Sequence, residues 1–518
     1  MKTSRKKPSR RAFMMTTGAG LSTLSLIANL SAGEGNSRPN VLFLFSDQHN
    51  ADFMGCAGHS LVKTPNLDAL AEKGTRFSRA YCQDGICVPS RTSIFSGLYP
   101  RTTGCLDNPN RPPDAERYTM LQHLFQQNGY RTGCFGKRHL PRAGKMALGW
   151  DRSATTISPK QDPSDENYWD WIKGRSKWAT FERDWKGSKA ADLMSHVSQL
   201  APEERDAAYT AAKAIEFIRK AKAKKTPFFC WASFHGPHQP YTPPAKWAEL
   251  YPPIKLPLPK NVRQPIKDLP PMPQLWRKNT KTPWNLATAA KQPEIYQRYA
   301  SCYMGQVTEV DHYLGEIVKT LDDLGLREDT LIVYASDHGD FVGRHGMVEK
   351  CAVGHNVYED TLRVPFIVSW AKQFKEGREC SDLVELLDIY PTLMDAAGLK
   401  KPAKLQELHG QSLVPALAKG AAIERPFAIS ENWSQVSLIT KDHKLGVWID
   451  TPKIPPYDKR HWRGKTPDLL FERASDPMEL TNLVGKREHA DVEKSLRTSL
   501  AEWIAATPDT GKRAIGKG

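Results

Sequence analysis

Beyond its first few dozen residues the chain holds no apolar run long enough to cross a bilayer, which excludes a membrane-spanning body. Its nine cysteines (Cys56, Cys82, Cys87, Cys105, Cys134, Cys230, Cys302, Cys351 and Cys380) form no paired CxxC blocks, which argues against a structural zinc site. Internal repeats are absent, as are low-complexity tracts away from the termini. No basic run interleaved with aromatics accompanies the net charge of +16, so that charge does not point to nucleic acid. What remains is a globular composition, 40% hydrophobic and 25% charged over 518 residues. That suffices for one large core and a smaller domain, and rules out a disordered chain, a collagen-like repeat or a disulfide-stapled miniprotein.

Acids are missing from residues 1–32, which carry Lys2, Arg5, Lys6, Lys7, Arg10 and Arg11. Subtracting these six from +16 leaves +10 on the body, which favours anionic partners, a polyanionic substrate among them. Ser9-Arg10-Arg11-Ala12-Phe13-Met14 precedes a mild apolar stretch, Met15 to Leu30, diluted by Thr, Ser, Gly and Asn. The segment resembles a twin-arginine export signal cleaved after Ala32; the alternative is a basic disordered tail. Export by that route delivers an already folded protein to the periplasm or the medium, so chemistry on the nascent chain comes first. Nine is an odd number, so at least one cysteine of an exported protein stands unpaired.

Four hydrophobic runs share one grammar. Val41–Phe45 leads to Asp47-Gln48-His49, and Tyr130–Phe135 leads to Lys137-Arg138-His139. Pro227–Ser233 leads to His235 and His238, and Thr330–Ala335 leads to Asp337-His338-Gly339-Asp340. Apolar runs bounded by turn residues read as buried parallel strands, and the carboxyl edge of such a sheet is where ligands bind. Helical periodicity between them, over Asn66–Lys73, Met120–Asn128, Glu204–Lys220 and Tyr303–Leu324, predicts an α/β fold.

Cys87-Val88-Pro89-Ser90-Arg91 is followed at a helical distance by Gly97. Pro89 suits the first turn of a helix and Gly97 its end, which puts Cys87 at a helix N-terminus. Backbone N–H groups there stabilise negative charge, so one reading is a reactive thiol of low pKa. The Cys-x-Pro-Ser-Arg signature resembles that of the type I sulfatases, in which the cysteine is oxidised by a maturation enzyme to formylglycine (3-oxoalanine). Other blocks agree in order and spacing: Arg38-Pro39-Asn40-Val41 to Asp47, Gly129-Tyr130-Arg131-Thr132 to Lys137 and His139, and Ser336-Asp337-His338-Gly339 through His345-Gly346 to Lys350. Arg363-Val364-Pro365, Asp388–Thr392 and Asp476–Leu483 complete a resemblance covering about residues 38–485.

The resemblance implies a large, mixed but mostly parallel sheet flanked by helices, of the alkaline phosphatase type. After the export signal read over 1–32, it implies a catalytic domain over 38–400 and a smaller C-terminal α+β domain with an antiparallel sheet over 401–518. It implies a divalent ion, Ca²⁺ or Mg²⁺, held by Asp47, Gln48, Asp337, His338 and the side chain at position 87; oxygen-rich ligands suit such hard cations. A hydrated formylglycine attacks sulfur through one hydroxyl, and loss of the second hydroxyl's proton expels sulfate. Lys137, Lys350 and Arg91 are expected to neutralise the sulfate oxygens, and Arg91 also to hold the formylglycine in place. His139 assists the nucleophile, and His238, aided by Lys350, protonates the leaving alcohol. His235 is a substrate contact or structural; His49, His59, His123 and His345 are structural or rim residues.

Three departures qualify the match. Gln48 replaces a second Asp and removes a negative charge. Arg138 stands where Trp is common and is expected to extend the pocket's positive field. Extra residues between Lys350 and Glu359 leave either Lys350 or His355 for one sulfate contact.

Asp162–Lys186 carries Trp169, Trp171, Trp178 and Trp185 among cations. It walls a groove for a sulfated sugar, or is a packed surface helix pair. Pro243–Pro293 reads as a long surface loop. Phe427–Ser430, Val436–Thr440, Lys444–Ile449 and Leu469–Glu472 read as short antiparallel strands, and Asp491–Ala506 as a helix. The expectation is a sulfatase acting on a sulfated carbohydrate or glycosaminoglycan-like substrate. The alternatives are a phosphonate or phosphodiester hydrolase of the same superfamily, and a non-catalytic binder of sulfated glycans.

Overall fold

The computed structural model describes residues 38–106, 108, 118–140, 149–160, 163–187, 193–265, 292–350, 357–432, 435–448 and 467–509. The export-like segment, Cys351 and His355 lie outside these residues.

Nine strands build the main sheet. In chain order they are β1 (Asn40–Asp47), β2 (Thr75–Phe77), β3 (Arg131–Gly136), β4 (Arg152–Thr155), β5 (Glu166–Asn167), β6 (Phe228–Pro237), β7 (Thr330–Ser336), β8 (Phe366–Ser369) and β9 (Arg378–Cys380). They lie side by side as β9-β2-β8-β7-β1-β6-β3-β4-β5. Only β8 runs against its neighbours, β2 and β7, so the sheet is mixed but mostly parallel. Every residue of β1 and β7 is buried, as expected of central parallel strands covered on both faces. Val41, Phe43 and Phe45 point into one core cluster; Leu42 and Leu44 point into another on the opposite face.

Helices α1 (Pro65–Glu72), α2 (Cys87–Ser96), α3 (Leu121–Gln127), α4 (Tyr168–Gly174), α5 (Trp178–Gly187), α6 (Asp206–Ala223) and α7 (Pro293–Asp323) occupy the connections. Helix α7 starts ten residues before the periodicity read from Tyr303. Ile295, Tyr296, Tyr299 and Cys302 extend its buried stripe backwards, and the polar hydroxyls of the two tyrosines hid it. Within the expected 243–293 loop, Ala245–Ala248 is helical, and Trp247, Tyr251, Leu256 and Val262 are buried. The described part of that segment therefore contributes to the core rather than crossing the surface; residues 266–291 lie outside the description.

Four further strands, β10 (Ala428–Asn432), β11 (Gln435–Ile439), β12 (His443–Trp448) and β13 (Leu469–Glu472), form a separate antiparallel sheet. Its apolar face, with Ile429, Leu438, Leu445 and Leu470, packs with Leu496 and Leu500 of α8 (Ala490–Ala506). A buried ion cluster ties this sheet to the main body: Lys444 of β12 contacts Glu359 at 3.3 Å and also pairs with Glu479.

Candidate active site

Register brings the first two carboxylates together. Ser46 of β1 pairs with Ser336 of β7, so the next residues, Asp47 and Asp337, leave the same edge side by side. The backbone turns sharply there: Gln48 has φ 67° and His139, beyond β3, φ 48°, a left-handed conformation that non-glycine residues tolerate mainly at functional turns. On β3, a Cβ at Gly136 would sit 1.9 Å from the Ser233 carbonyl oxygen, so only glycine lets the strands approach while Lys137 turns in.

Helix α2 begins at Cys87 and ends at Gly97, whose φ of 69° closes it. All ten of its residues are buried, although it has few large apolar ones. Polar groups hold it instead. Ser90 Oγ donates to the Asp337 carbonyl at 2.6 Å. The Arg91 guanidinium donates from Nε to Asp337 Oδ2 (2.7 Å), from Nη2 to Asp47 Oδ2 (2.9 Å), and from Nη1 to the Lys137 carbonyl (2.5 Å) and Ser233 Oγ (3.0 Å).

Arg91 thus engages the Oδ2 atoms of both aspartates, and their Oδ1 atoms face a common centre. There Asp47 Oδ1 lies 3.7 Å from Cys87 Sγ and 3.6 Å from His338 Nε2. His338 Nε2 lies 3.2 Å from Sγ and 3.7 Å from Asp337 Oδ1. One ligand atom from each of Asp47, Cys87, Asp337 and His338 lies within 4.8 Å of the others, and all four residues are buried. His338 Nδ1 is 3.0 Å from the Gly339 carbonyl; a carbonyl can only accept, so the hydrogen sits on Nδ1 and the Nε2 lone pair is directed at the cluster. Two carboxylate oxygens and one such nitrogen in a buried cluster are a fitting donor set for a divalent cation.

The electrostatics match. Burial pushes the Asp47 carboxyl up, but Lys137 and Arg91 outweigh it and hold the group well below the usual carboxylate range. Asp337 is raised by its burial and by the Asp47 charge. Burial and Asp47 push the Cys87 thiol up, yet Lys137 and Lys350 prevail and bring it down to about 6. By contrast, burial drives Cys82 and Cys230 well above an ordinary thiol.

Lys137 Nζ is 2.6 Å from Asp47 Oδ2 and 3.9 Å from Cys87 Sγ. Lys350 Nζ approaches Gln48 Oε1 (3.1 Å), Glu349 Oε1 (3.1 Å) and His238 Nε2 (3.2 Å). His238 Nδ1 is 2.8 Å from the Gln239 carbonyl and therefore carries the ring hydrogen, leaving Nε2 to accept from Lys350. Burial, with Lys137 and Lys350 nearby, holds His238 well below the ordinary imidazole value, so it is neutral. A cavity of about 1050 Å³ opens over Cys87, Lys137, His139, His235, His238 and Lys350.

The structure changes three sequence expectations. Arg91 is fully buried and engaged by both aspartates, so it orients carboxylates instead of facing a bound anion. Arg138 donates to the Pro163 carbonyl at 2.6 Å and is not part of the cavity wall, so its guanidinium acts on the pocket only from behind that wall. Neutral His238 accepts from Lys350 at Nε2, so in this state that atom holds no proton for a leaving alcohol. Sequence reasoning also left Asp340 without a role. Asp340 is buried and accepts from Gln48 Nε2 (2.8 Å), Tyr241 (2.9 Å) and Tyr299, turning Gln48 Oε1 toward Lys350. Its place at the end of β7 was the available signal; the tyrosines from distant segments were not readable.

Comparison with known proteins agrees with this geometry. Residues 39–399 match the Sulfatase family, and residues 343–506 match the family of N-sulphoglucosamine sulphohydrolase C-terminal regions. The chain is 25% identical to an N-acetylglucosamine-6-O-sulfatase of Bacteroides thetaiotaomicron, over 94% of this chain and 90% of that one. It is 26% identical to an ulvan-active sulfatase of Formosa agariphila, over 92% and 83%. The phosphonate monoester hydrolase of Agrobacterium radiobacter, at 24% identity, shares the fold with a TM-score of 0.76 over 92% of this chain and 97% of that one. With more than half its length matched, the chain belongs to the sulfatase family, the hydrolases of sulfuric esters.

Proposed function

We propose that this sulfatase removes sulfate from a sulfated carbohydrate, using a formylglycine made from Cys87 and a divalent cation held by Asp47, Gln48, Asp337, His338 and the residue-87 side chain. Ca²⁺ is favoured over Mg²⁺ because several protein ligands and few waters suit it better. The observation that carries the reading is the convergence of Cys87 with two carboxylates, His338, Lys137 and Lys350 at the base of one cavity.

When present, the cation and the oxidised side chain supply charge neutralisation and the nucleophilic oxygen. The chain's own groups do the rest. Lys137 and Lys350 offset charge on the sulfate oxygens in a site shielded from water, where such contacts are strong. Arg91 keeps Asp47 and Asp337 ionised and aimed inward. His139, on the cavity wall, takes the proton of the attacking hydroxyl. Lys350, held charged by the anionic groups around it, stays a cation beside His238 Nε2 and stabilises the leaving oxygen. His238 protonates that oxygen as an imidazolium formed when the anionic substrate binds.

Cys87 is 1% exposed and α2 is buried throughout. A maturation enzyme reading Cys87-x-Pro89-Ser90-Arg91 therefore acts before folding, which fits the twin-arginine-like N-terminus and a periplasmic or secreted destination. The names of the Bacteroides and Formosa relatives support a sulfated carbohydrate as substrate.

The test is turnover by matured enzyme of 4-nitrophenyl sulfate, a panel of sulfated saccharides and an aryl phosphonate monoester, beside the intact mass of the Cys87 peptide. Sulfate esters are expected to be cleaved fastest. Faster phosphonate cleavage would transfer the protein to the neighbouring activity of the superfamily. An unmodified thiol in every preparation, without turnover, would make it a binder.

A further inference from the structure

Helix α5 presents Trp178, Phe181 and Trp185 at i, i+3 and i+7, which places them on one face. Trp169 of α4 joins them: ring centroids are 5.4 Å apart for Trp169–Trp178, 5.2 Å for Trp178–Phe181 and 6.4 Å for Phe181–Trp185. Such a stripe normally seals a helix to the core. Here Trp169, Trp178 and Phe181 are only partly covered, and Trp185 is 56% exposed. The helix is tied down elsewhere: buried Asp184 accepts from Ser198 Oγ and from the Gln199 amide at 3.1 Å. While packing partly against the core, the stripe also lines the same cavity as Cys87, Lys137 and Lys350. At about 1050 Å³, that cavity is at or beyond the upper end of the 300–1,000 Å³ typical of small-ligand pockets.

Polar groups of the same cavity complement the rings. Gln306 donates to the Pro240 carbonyl at 3.0 Å, while its buried Oε1 accepts no hydrogen bond among the described residues. Buried His235 Nδ1 likewise has no partner among them. The cations at this end have partners: Lys186 pairs with Glu182 at 3.0 Å, Arg205 with Glu309 at 3.2 Å, and Lys173 Nζ lies 4.7 Å over the Trp178 ring, which leaves Trp185 as the open ring of the stripe. Apolar ring faces, open hydrogen-bonding atoms and balanced charge describe a surface for a pyranose, which has a C–H face and a hydroxyl rim but no charge.

We propose that the Trp178–Phe181–Trp185 face is a second sugar subsite, so that the substrate is an oligosaccharide whose sulfated residue lies over Cys87 and whose uncharged neighbour stacks on this face. The inference rests on the sulfatase reading of the site and adds the substrate's length and its neighbouring sugar. Gln306 Oε1 accepts a hydroxyl of that neighbour, and Trp185 forms the outer edge of the stack.

The experiment compares kcat/KM of wild type, Trp185→Ala, Trp185→Phe and Gln306→Ala on 4-nitrophenyl sulfate, sulfated monosaccharides, and sulfated oligosaccharides of galactan, N-acetyllactosamine and chondroitin type. Trp185 is exposed, so its loss leaves the fold intact. Trp185→Ala is expected to cost about ten-fold on the best neutral-neighbour oligosaccharide, mainly in KM, and clearly less on its monosaccharide, with Trp185→Phe restoring most of the difference. Equal loss at every length, or no loss, would overturn the subsite, as would preference for a uronate neighbour. Cleavage of 4-nitrophenyl sulfate but of no saccharide would overturn the subsite and leave the sulfatase reading standing. Failure on every sulfate ester would remove both.

Discussion

Replacing Arg91 by Met tests how the two aspartates are held. The guanidinium is fully buried and donates charge-assisted hydrogen bonds to Asp47 Oδ2 and Asp337 Oδ2. Each such bond contributes about 1.5–3 kcal/mol, and breaking a buried pair while leaving its partner charged costs about 3–5 kcal/mol. A loss near 4 kcal/mol is therefore expected. For a chain of 518 residues unfolding as one unit, an unfolding entropy of about 2.1 cal/mol/K per residue turns this into a fall of about 4 °C in Tm. Calorimetry on metal-free protein still carrying the Cys87 thiol is the right assay, because Arg91 also lies in the maturation signature and turnover would confuse two effects. Added Ca²⁺ should recover part of the loss by neutralising the same carboxylates, though with weaker affinity since Oδ1 is no longer aimed. A metal-free Tm within about 1 °C of the parent would refute the claim that Arg91 organises the pair.

Other perturbations have separate readouts. Cys87→Ala should abolish sulfate ester hydrolysis and leave circular dichroism unchanged; residual turnover would refute the nucleophile assignment. Prolonged chelation should suppress turnover and lower Tm, and Ca²⁺ at a hundred times its Kd should restore about 2.7 kcal/mol of stability. Indifference to chelation, checked by metal analysis, would contradict the cation site. Lys444→Met removes the cation of buried Glu479, while Glu359 keeps Arg363 and Arg473, so a loss of about 1–3 kcal/mol is expected, with limited proteolysis reporting loosening between the small sheet and the body. Gly136→Ala drives a Cβ into the Ser233 carbonyl, and should lower both Tm and kcat by displacing Lys137; an unperturbed enzyme would mean that the strands can separate there at little cost.

Much of the architecture could be read from local pattern. Continuous apolar runs identified β1, β6 and β7 because buried parallel strands need hydrophobic residues on both faces, and β3 was read from its turn-bounded position before Lys137. Pro89 and Gly97 bracketed α2 because one suits a first helical turn and the other the left-handed closing residue. The start of α7 and the packing around Trp247 were not legible, because tyrosines and prolines blur helical periodicity and only a neighbouring surface decides whether they are covered. The Trp-rich segment was ambiguous for the same reason. It is a helix pair, and whether its aromatic face meets the core or a cavity depends on where the active edge of the sheet falls.

By itself the sequence determined which chemical groups leave the strand ends, in what order, and that Cys87 begins a helix; these follow from local periodicity and turn chemistry. Tertiary structure decided the division of labour among them. Arg91 was set on the aspartates and not on an anion, His238 was left neutral beneath Lys350, and Asp340 was enlisted to turn Gln48. Such roles depend on burial, on distances of three to four ångströms and on partners hundreds of residues away. Those quantities exist only once the chain has closed on itself.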